Sequence, residues 1–270
     1  MHAFATLEMP TGIDQLLYRY AHVSAGVVWI GMLLAMALVQ EHVQQALAGE
    51  PRSRAIQAGV SRVVFFLQWA SLFTWASGAA LLARLYYAAG SAPLLFAPTS
   101  EHAGEHMPWS RILALFGVLC LGLAAYELVA RVFARLPEVA ALAWAALVVG
   151  LGCRLEHHFE LSSRALVIHL GVLLGTVMAL NVWLWIAPAL LALVAAARAG
   201  KEAPTAALER ARARARHNLA MATPILLLMV GVHQEELLGA RPWQFPVLAL
   251  LLLGVLVGWG LRRGSGLIRW

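Results

Sequence analysis

Long apolar stretches, separated by short polar segments, dominate the pattern of this chain. Seven of them lie at about 14–40, 60–88, 110–135, 138–154, 164–190, 218–234 and 244–261. A helix needs roughly 20 residues to cross a bilayer. Backbone groups in lipid must be hydrogen-bonded within the segment, and no alternating strand pattern is present, so the stretches are predicted to be helices. We therefore expect an all-α integral membrane protein with one transmembrane helical domain over residues 1–270.

Three local signals refine the predicted helices. Pro137 suits the first turn of the fourth span. The fifth span is expected to begin near Ser162 and to kink or leave the membrane near Pro188. The first span is too long for a signal peptide and lacks a basic segment before it, so it is expected to be an uncleaved anchor.

Composition and charge agree with this class and predict an orientation. The chain is 61% hydrophobic and 13% charged, with a net charge of +6. Of its 20 lysines and arginines, 14 fall in alternate loops and the C-terminal tail. Because cytoplasmic loops are the basic ones, we expect the N-terminus outside and the C-terminus in the cytoplasm of a bacterial inner membrane. The arginine-rich run 210–216 is interpreted as a cytoplasmic lipid anchor, not a nucleic-acid site.

The histidines are unevenly distributed over this topology. Eight of the ten fall on the predicted outer side, together with many acidic residues, in segments such as 101–106 and 156–160. Imidazole and carboxylate groups are ligands of zinc, copper and iron. The loop histidines are weaker candidates, since wetted loop residues explain them equally well: His102, His106, His157 and His158.

Two histidines lie inside predicted spans. His22 and His169 would each lie about 10 Å below the outer rim of a helix that runs inward. Two imidazoles at one depth are predicted to be axial ligands of a haem b iron. Small residues near them, Gly26, Gly171 and Gly175, would let a flat macrocycle approach, although helix–helix packing also explains these glycines.

Arg19 lies one turn above His22 on the same helical face. It is a candidate to meet haem propionates or an anionic substrate. A snorkelling interfacial arginine is the alternative. The chain has no C-x-x-C-H motif for covalent haem, no G-x-G-x-x-G motif and no P-loop.

A resemblance to a known family rests on blocks in four of the seven spans. They are 19–31 in the first span, Leu72-Phe73-Thr74-Trp75 with Gly78 in the second, His169, 174–176 and Asn181-Val182-Trp183 in the fifth, and Arg216-His217-Asn218 with Pro224, Met229 and His233 in the sixth. Together they resemble the membrane domain of the cytochrome-c-linked urate oxidase (urate hydroxylase) family. More distantly, the chain resembles haem-b-binding membrane protoporphyrinogen oxidases and copper-resistance membrane proteins.

The resemblance implies a multi-pass inner-membrane protein that takes part in oxidative chemistry with c-type cytochromes. It singles out His22, His169 and His233. The family's C-terminal cytochrome c domain is expected to be absent, so electrons would pass to a separate protein. Ala189 and Leu190 stand where a polar residue is expected, which leaves urate as the substrate open.

Three functions remain open from the sequence. The first is a haem-b redox protein and candidate oxidoreductase, with His22 and His169 as ligands and His233 as a third ligand or proton-handling residue. It would pass electrons to a c-type cytochrome or another redox subunit and bind membrane lipids. The second is a copper- or zinc-handling membrane protein with an additional metal ion at the outer histidines. The third is an accessory subunit of a respiratory complex, and homo- or hetero-oligomers are compatible with each.

Overall fold

Helices make up nearly all of the structure that is described, a computed structural model covering residues 12–87, 95–231 and 243–267. The α-helices are α1 Ile13–Ala35, α2 Glu41–Ala46, α3 Gly49–Ala55, α4 Ser61–Leu82, α5 Trp109–Val132, α6 Pro137–Phe159, α7 Ser163–Asn181, α8 Ala187–Arg198, α9 Thr205–Gly231 and α10 Gln244–Leu267. Within these residues the extended structure is a single antiparallel bridge between Phe96 and Leu161. The prediction of an all-α protein is confirmed.

Wider π-helical turns join several α-helices into longer rods. They lie at Met36–Gln40, Ile56–Val60, Ala83–Tyr87 and Val182–Ile186. The last of these directly precedes Pro188, which lacks an N–H group and whose ring would clash with a carbonyl one turn earlier. The π-turn accommodates the proline, and the rod continues from Ser163 to Arg198 over 36 residues. The fifth span is therefore longer than the predicted 164–190.

Five of these rods are long and apolar enough to cross a membrane. They are Ile13–Gln40, Gly49–Tyr87, Trp109–Val132, Val139–Phe159 and Ser163–Arg198. A shorter apolar segment, Gln244–Val257, lies in α10. Much of the apolar surface of the rods is exposed, which suits contact with lipid better than contact with water. The chain is a multi-pass membrane protein.

Helix α7 is the centre of the bundle. It packs against α4, α5, α6 and α9, and twelve of its 19 residues are buried. By contrast, α1 buries only Trp29 and Leu33 and packs mainly along α4. An ion pair of 3.0 Å between Asp14 and Arg84 joins the beginning of α1 to the end of the α4 rod. Polar side chains on α7 are consequently held on all sides by other helices.

The turn between α6 and α7 sets the depth at which α7 begins. Ser162 caps α7 by accepting a hydrogen bond from the Ala165 N–H at 3.1 Å, which confirms the predicted start.

Helix α6 begins where the sequence predicts, since Pro137 lies in its first turn. Helix α6 continues to Phe159, past the predicted span limit at residue 154. His157 and His158 therefore lie on the last helical turn and not in a loop.

Candidate functional site

His169 is completely buried on α7, and both of its ring nitrogens have partners. Nδ1 lies 2.6 Å from the Ala165 carbonyl oxygen, which can only accept, so Nδ1 carries a proton. The Tyr87 hydroxyl lies 2.7 Å from Nε2. In a neutral imidazole Nε2 is then the acceptor and Tyr87 the donor. The rings of Tyr86 and Tyr87 meet His169 edge to face.

His22 is half-buried between α1 and α4. Its Nδ1 donates to the Thr74 carbonyl oxygen at 2.8 Å, and the Ser77 hydroxyl lies 3.5 Å away. Gly78 makes room for the ring, since a Cβ atom there would lie 2.7 Å from Cε1 of His22. In both His22 and His169 an Nδ1–H···O=C bond leaves Nε2 as the electron-pair donor. This is the usual arrangement of histidines that bind metals.

The two histidines do not lie at one level of the bundle. His22 bonds to Thr74, and the next residue, Trp75, donates to Thr176 of α7 at 3.1 Å. Thr176 is seven residues beyond His169, which corresponds to about two helical turns or ~10 Å. Axial ligands of one haem iron must face each other at the same depth. In this arrangement the pair therefore does not fit a bis-histidine haem, and Tyr87 already occupies Nε2 of His169.

The remaining predicted site residues lie apart from this region. Arg19 is exposed on α1. His102 bonds to Glu105 at 3.0 Å within a loop, and His106 is exposed. The rings of His157 and His158 meet edge to face on the surface of α6. His233 lies outside the described residues.

Among the residues that are described, no three histidine, cysteine or acidic side chains come together as a metal site. Cys120 is exposed and Cys153 is partly buried, and neither forms a disulfide. The described residues therefore give the metal-handling hypothesis no ligand set.

A second polar cluster lies between α5, α7 and α9, at the other end of α7. The Asn181 amide donates to the Tyr126 hydroxyl at 2.7 Å and to Oδ1 of Asn218 at 2.8 Å. The Asn218 amide in turn donates to the Met178 carbonyl oxygen at 2.9 Å. The Tyr126 hydroxyl lies 2.9 Å from Nδ1 of His217. Buried polar groups are costly unless they are paired, so this network fixes how the three helices pack.

An arginine closes the cluster. Arg214 is buried, and its Nη2 bonds to Glu127 at 2.8 Å. Its guanidinium lies 5.3 Å from the ring centres of both Tyr126 and Trp185. Its Nη1 atom is buried and has no hydrogen-bond acceptor among the described residues. The guanidinium is thus held by one ion pair and two aromatic faces inside the bundle.

Two cavities adjoin Tyr126. A small one, about 50 Å³, lies beside Trp144 and His217. A larger one, about 300 Å³, is an open groove lined in part by Glu127, Asn181 and Trp185. Neither is lined by His22 or His169.

The sequence pattern predicted no site at this cluster. Asn181, His217 and Asn218 appear there only in the blocks that resemble the family. The available signal was the presence of two asparagines within long apolar stretches, since such polar residues face a bundle interior. That they meet depends on the packing of α7 against α9.

Comparison with known proteins gives one match. Residues 58–259 match the family described as "Urate oxidase N-terminal". The chain belongs to this family. The matched region includes His169 and every residue of the polar cluster, whereas Arg19 and His22 precede it. No curated protein matches the chain, and no solved structure does. The resemblance to the urate oxidase membrane domain is thus confirmed, and the chain is a urate-oxidase-like membrane protein.

Proposed function

We propose that this protein is a membrane redox protein of the urate oxidase type, which transfers electrons from a small oxidisable substrate to a c-type cytochrome. The observation that carries the proposal is the family match over residues 58–259, about three quarters of the chain. The buried histidine of α7 and the polar network around Asn181 support it, because both lie in the matched region where ordinary membrane helices would be apolar.

The proposed topology has seven spans, with the N-terminus outside and the C-terminus in the cytoplasm of a bacterial inner membrane. Five long apolar rods support it, and α9 and α10 would supply the remaining two spans. The basic loops between alternate spans support the orientation.

Labelling of single cysteines with a membrane-impermeant maleimide tests this orientation. The cysteines replace Ser100 or Ala203 in a variant that lacks Cys120 and Cys153. Ser100→Cys is expected to be labelled in intact cells, and Ala203→Cys only after lysis. The reverse pattern would overturn the orientation.

Haem b is the cofactor proposed for the redox role. His22 and His169 each present an Nε2 suited to a metal, but the arrangement described here does not bring them to one iron. Reduced-minus-oxidised spectra of the wild type, His22→Ala and His169→Ala show whether haem is bound and whether each histidine is needed to bind it. Loss of a b-type spectrum in both variants would show that both histidines ligate in a different helix arrangement. Its absence from wild type expressed with an adequate haem supply would overturn the haem proposal.

The activity is tested by following reduction of cytochrome c in membranes that contain the protein. Addition of urate is expected to increase the rate, and Asn181→Leu is expected to reduce it. His102→Ala, an outer-loop change, is the matched control and should keep the wild-type rate. A protein that is folded and loaded with its cofactor, yet produces no urate-dependent reduction, would overturn urate as the substrate. Testing xanthine and hypoxanthine in parallel shows whether another purine takes its place.

A further inference from the structure

The larger cavity has two chemically different ends. We call it the α5–α7 groove, and define it by Tyr126, Glu127 and Arg131 of α5 and by Leu180, Leu184 and Trp185 of the α7 rod. Its apolar end is formed by the leucines, and its polar end lies where α5 finishes at Val132. Arg131 and Trp185 are near this end of the bundle.

The apolar walls of the α5–α7 groove open sideways. Leu180 is 40% and Leu184 is 60% exposed, and both lie on a rod that is long and apolar enough to span the membrane. Large exposed leucines on such a rod face lipid. A ligand can therefore enter the groove from the bilayer and lay a hydrocarbon chain along these leucines.

The polar end offers hydrogen-bond donors and positive charge. Both oxygens of Glu127 are already used, one by Arg131 at 2.8 Å and one by Arg214 at 2.8 Å. Two arginines against one carboxylate leave a local charge of +1. Arg131 lines the groove, and its Nη groups are the donors available there. Arg214 does not line it, because its guanidinium is buried behind Tyr126 and Trp185, so it adds positive charge and no direct contact.

We propose that the α5–α7 groove is a binding site for an acidic phospholipid. Its phosphate oxygens would accept hydrogen bonds from the Nη groups of Arg131, and an acyl chain would lie along Leu180 and Leu184. The donors and the net charge select an anion, and the lipid-facing leucines select an amphiphile over a soluble anion. The site lies at a helix end, near the depth where headgroups are found. This proposal is independent of the redox function.

The test is native mass spectrometry of the detergent-solubilised protein titrated with phosphatidylglycerol or phosphatidylcholine. The wild type is expected to retain phosphatidylglycerol preferentially. Arg131→Gln removes one surface cation and should weaken retention about fivefold, as expected for one arginine at a membrane surface. Leu184→Trp fills the apolar wall without changing any charge and should weaken it as well.

Matched controls lie at the same end of α5. Arg135→Gln removes an exposed arginine that does not line the groove, and Leu128→Trp changes an exposed leucine that does not line it either. Both should retain phosphatidylglycerol as the wild type does. Arg214→Gln is not needed for the test, because loss of this buried ion pair affects folding.

Two results would overturn the proposal. One is equal retention of phosphatidylglycerol by the wild type, Arg131→Gln and Leu184→Trp. The other is a protein that inorganic phosphate alone stabilises, that loses this stabilisation in Arg131→Gln, and that retains the two lipids equally. That result would identify a site for a soluble anion. The lipid titration contains neither urate nor cytochrome c, so its failure is distinguishable from failure of the proposed function.

Discussion

The hydroxyl of Tyr87 lies 2.7 Å from Nε2 of His169, at the end of α4 and near the beginning of α7. These residues are 82 positions apart in sequence. The contact gives the fully buried imidazole its second hydrogen bond and joins the two rods. It also occupies the nitrogen that a metal would bind.

Replacing Tyr87 with Phe should destabilise the protein by about 1–3 kcal/mol, because Nε2 of a buried histidine loses its partner. Thermal unfolding in detergent measures this. Tyr20→Phe, at a hydroxyl on the exposed surface of α1, should change stability by less than ~0.5 kcal/mol. If Tyr87→Phe were as stable as the wild type, the hydrogen bond would not contribute to stability. If haem is bound through His169, Tyr87→Phe should keep or increase the haem content while stability still falls.

Gly78→Ala should destabilise the protein, although alanine favours a helix over glycine by about 1 kcal/mol. The added Cβ would lie 2.7 Å from Cε1 of His22, and the imidazole must move or α1 must shift. Gly31→Ala is the matched control, since a Cβ there meets nothing within 4 Å and should be neutral or stabilising. Combining Gly78→Ala with His22→Ala should restore the helix-propensity gain. If the double variant lost as much stability as the two single variants together, the contact between position 78 and His22 would be contradicted.

Asn181 and Asn218 should show strong coupling in a double-mutant cycle. Asn181→Leu leaves Oδ1 of Asn218 without its donor, and Asn218→Leu leaves Asn181 without its Oδ1 acceptor, with an expected cost of about 1–3 kcal/mol each. The double variant should cost less than the sum of the two by about 0.5–3 kcal/mol, because the Asn181–Asn218 bond of 2.8 Å is removed once. Unfolding of the four proteins in the same detergent gives the coupling. Strict additivity would show that the two amides do not interact in the folded protein.

The two arginines that share Glu127 should behave differently. Arg131 is 68% exposed, so Arg131→Gln should cost at most about 1 kcal/mol. Arg214 is 10% exposed, and Arg214→Gln leaves the inner face of the carboxylate unpaired, with an expected cost of about 3 kcal/mol. Raising the salt concentration should reduce the effect of Arg131→Gln but not that of Arg214→Gln. Equal costs for the two changes would show that the inner ion pair is as well solvated as the outer one.

The sequence by itself determined the class, the family and several helix ends. The length and apolar character of the stretches predict membrane helices because a bilayer admits few other structures. Pro137 and Ser162 predicted helix starts correctly, since capping and proline geometry depend on a few neighbouring residues. Each of these signals is local, and each can be found in one segment without knowing its neighbours.

Only the tertiary structure decided which polar residues meet. His22 and His169 have similar positions within their helices, but the register of α1 and α7 along α4 places them about two turns apart. Asn181 and Asn218 lie 37 residues apart, and Tyr126 and His217 lie 91 apart, yet they form one network. The depth and rotation of each helix depend on side-chain packing between helices, which hydropathy along one segment does not contain.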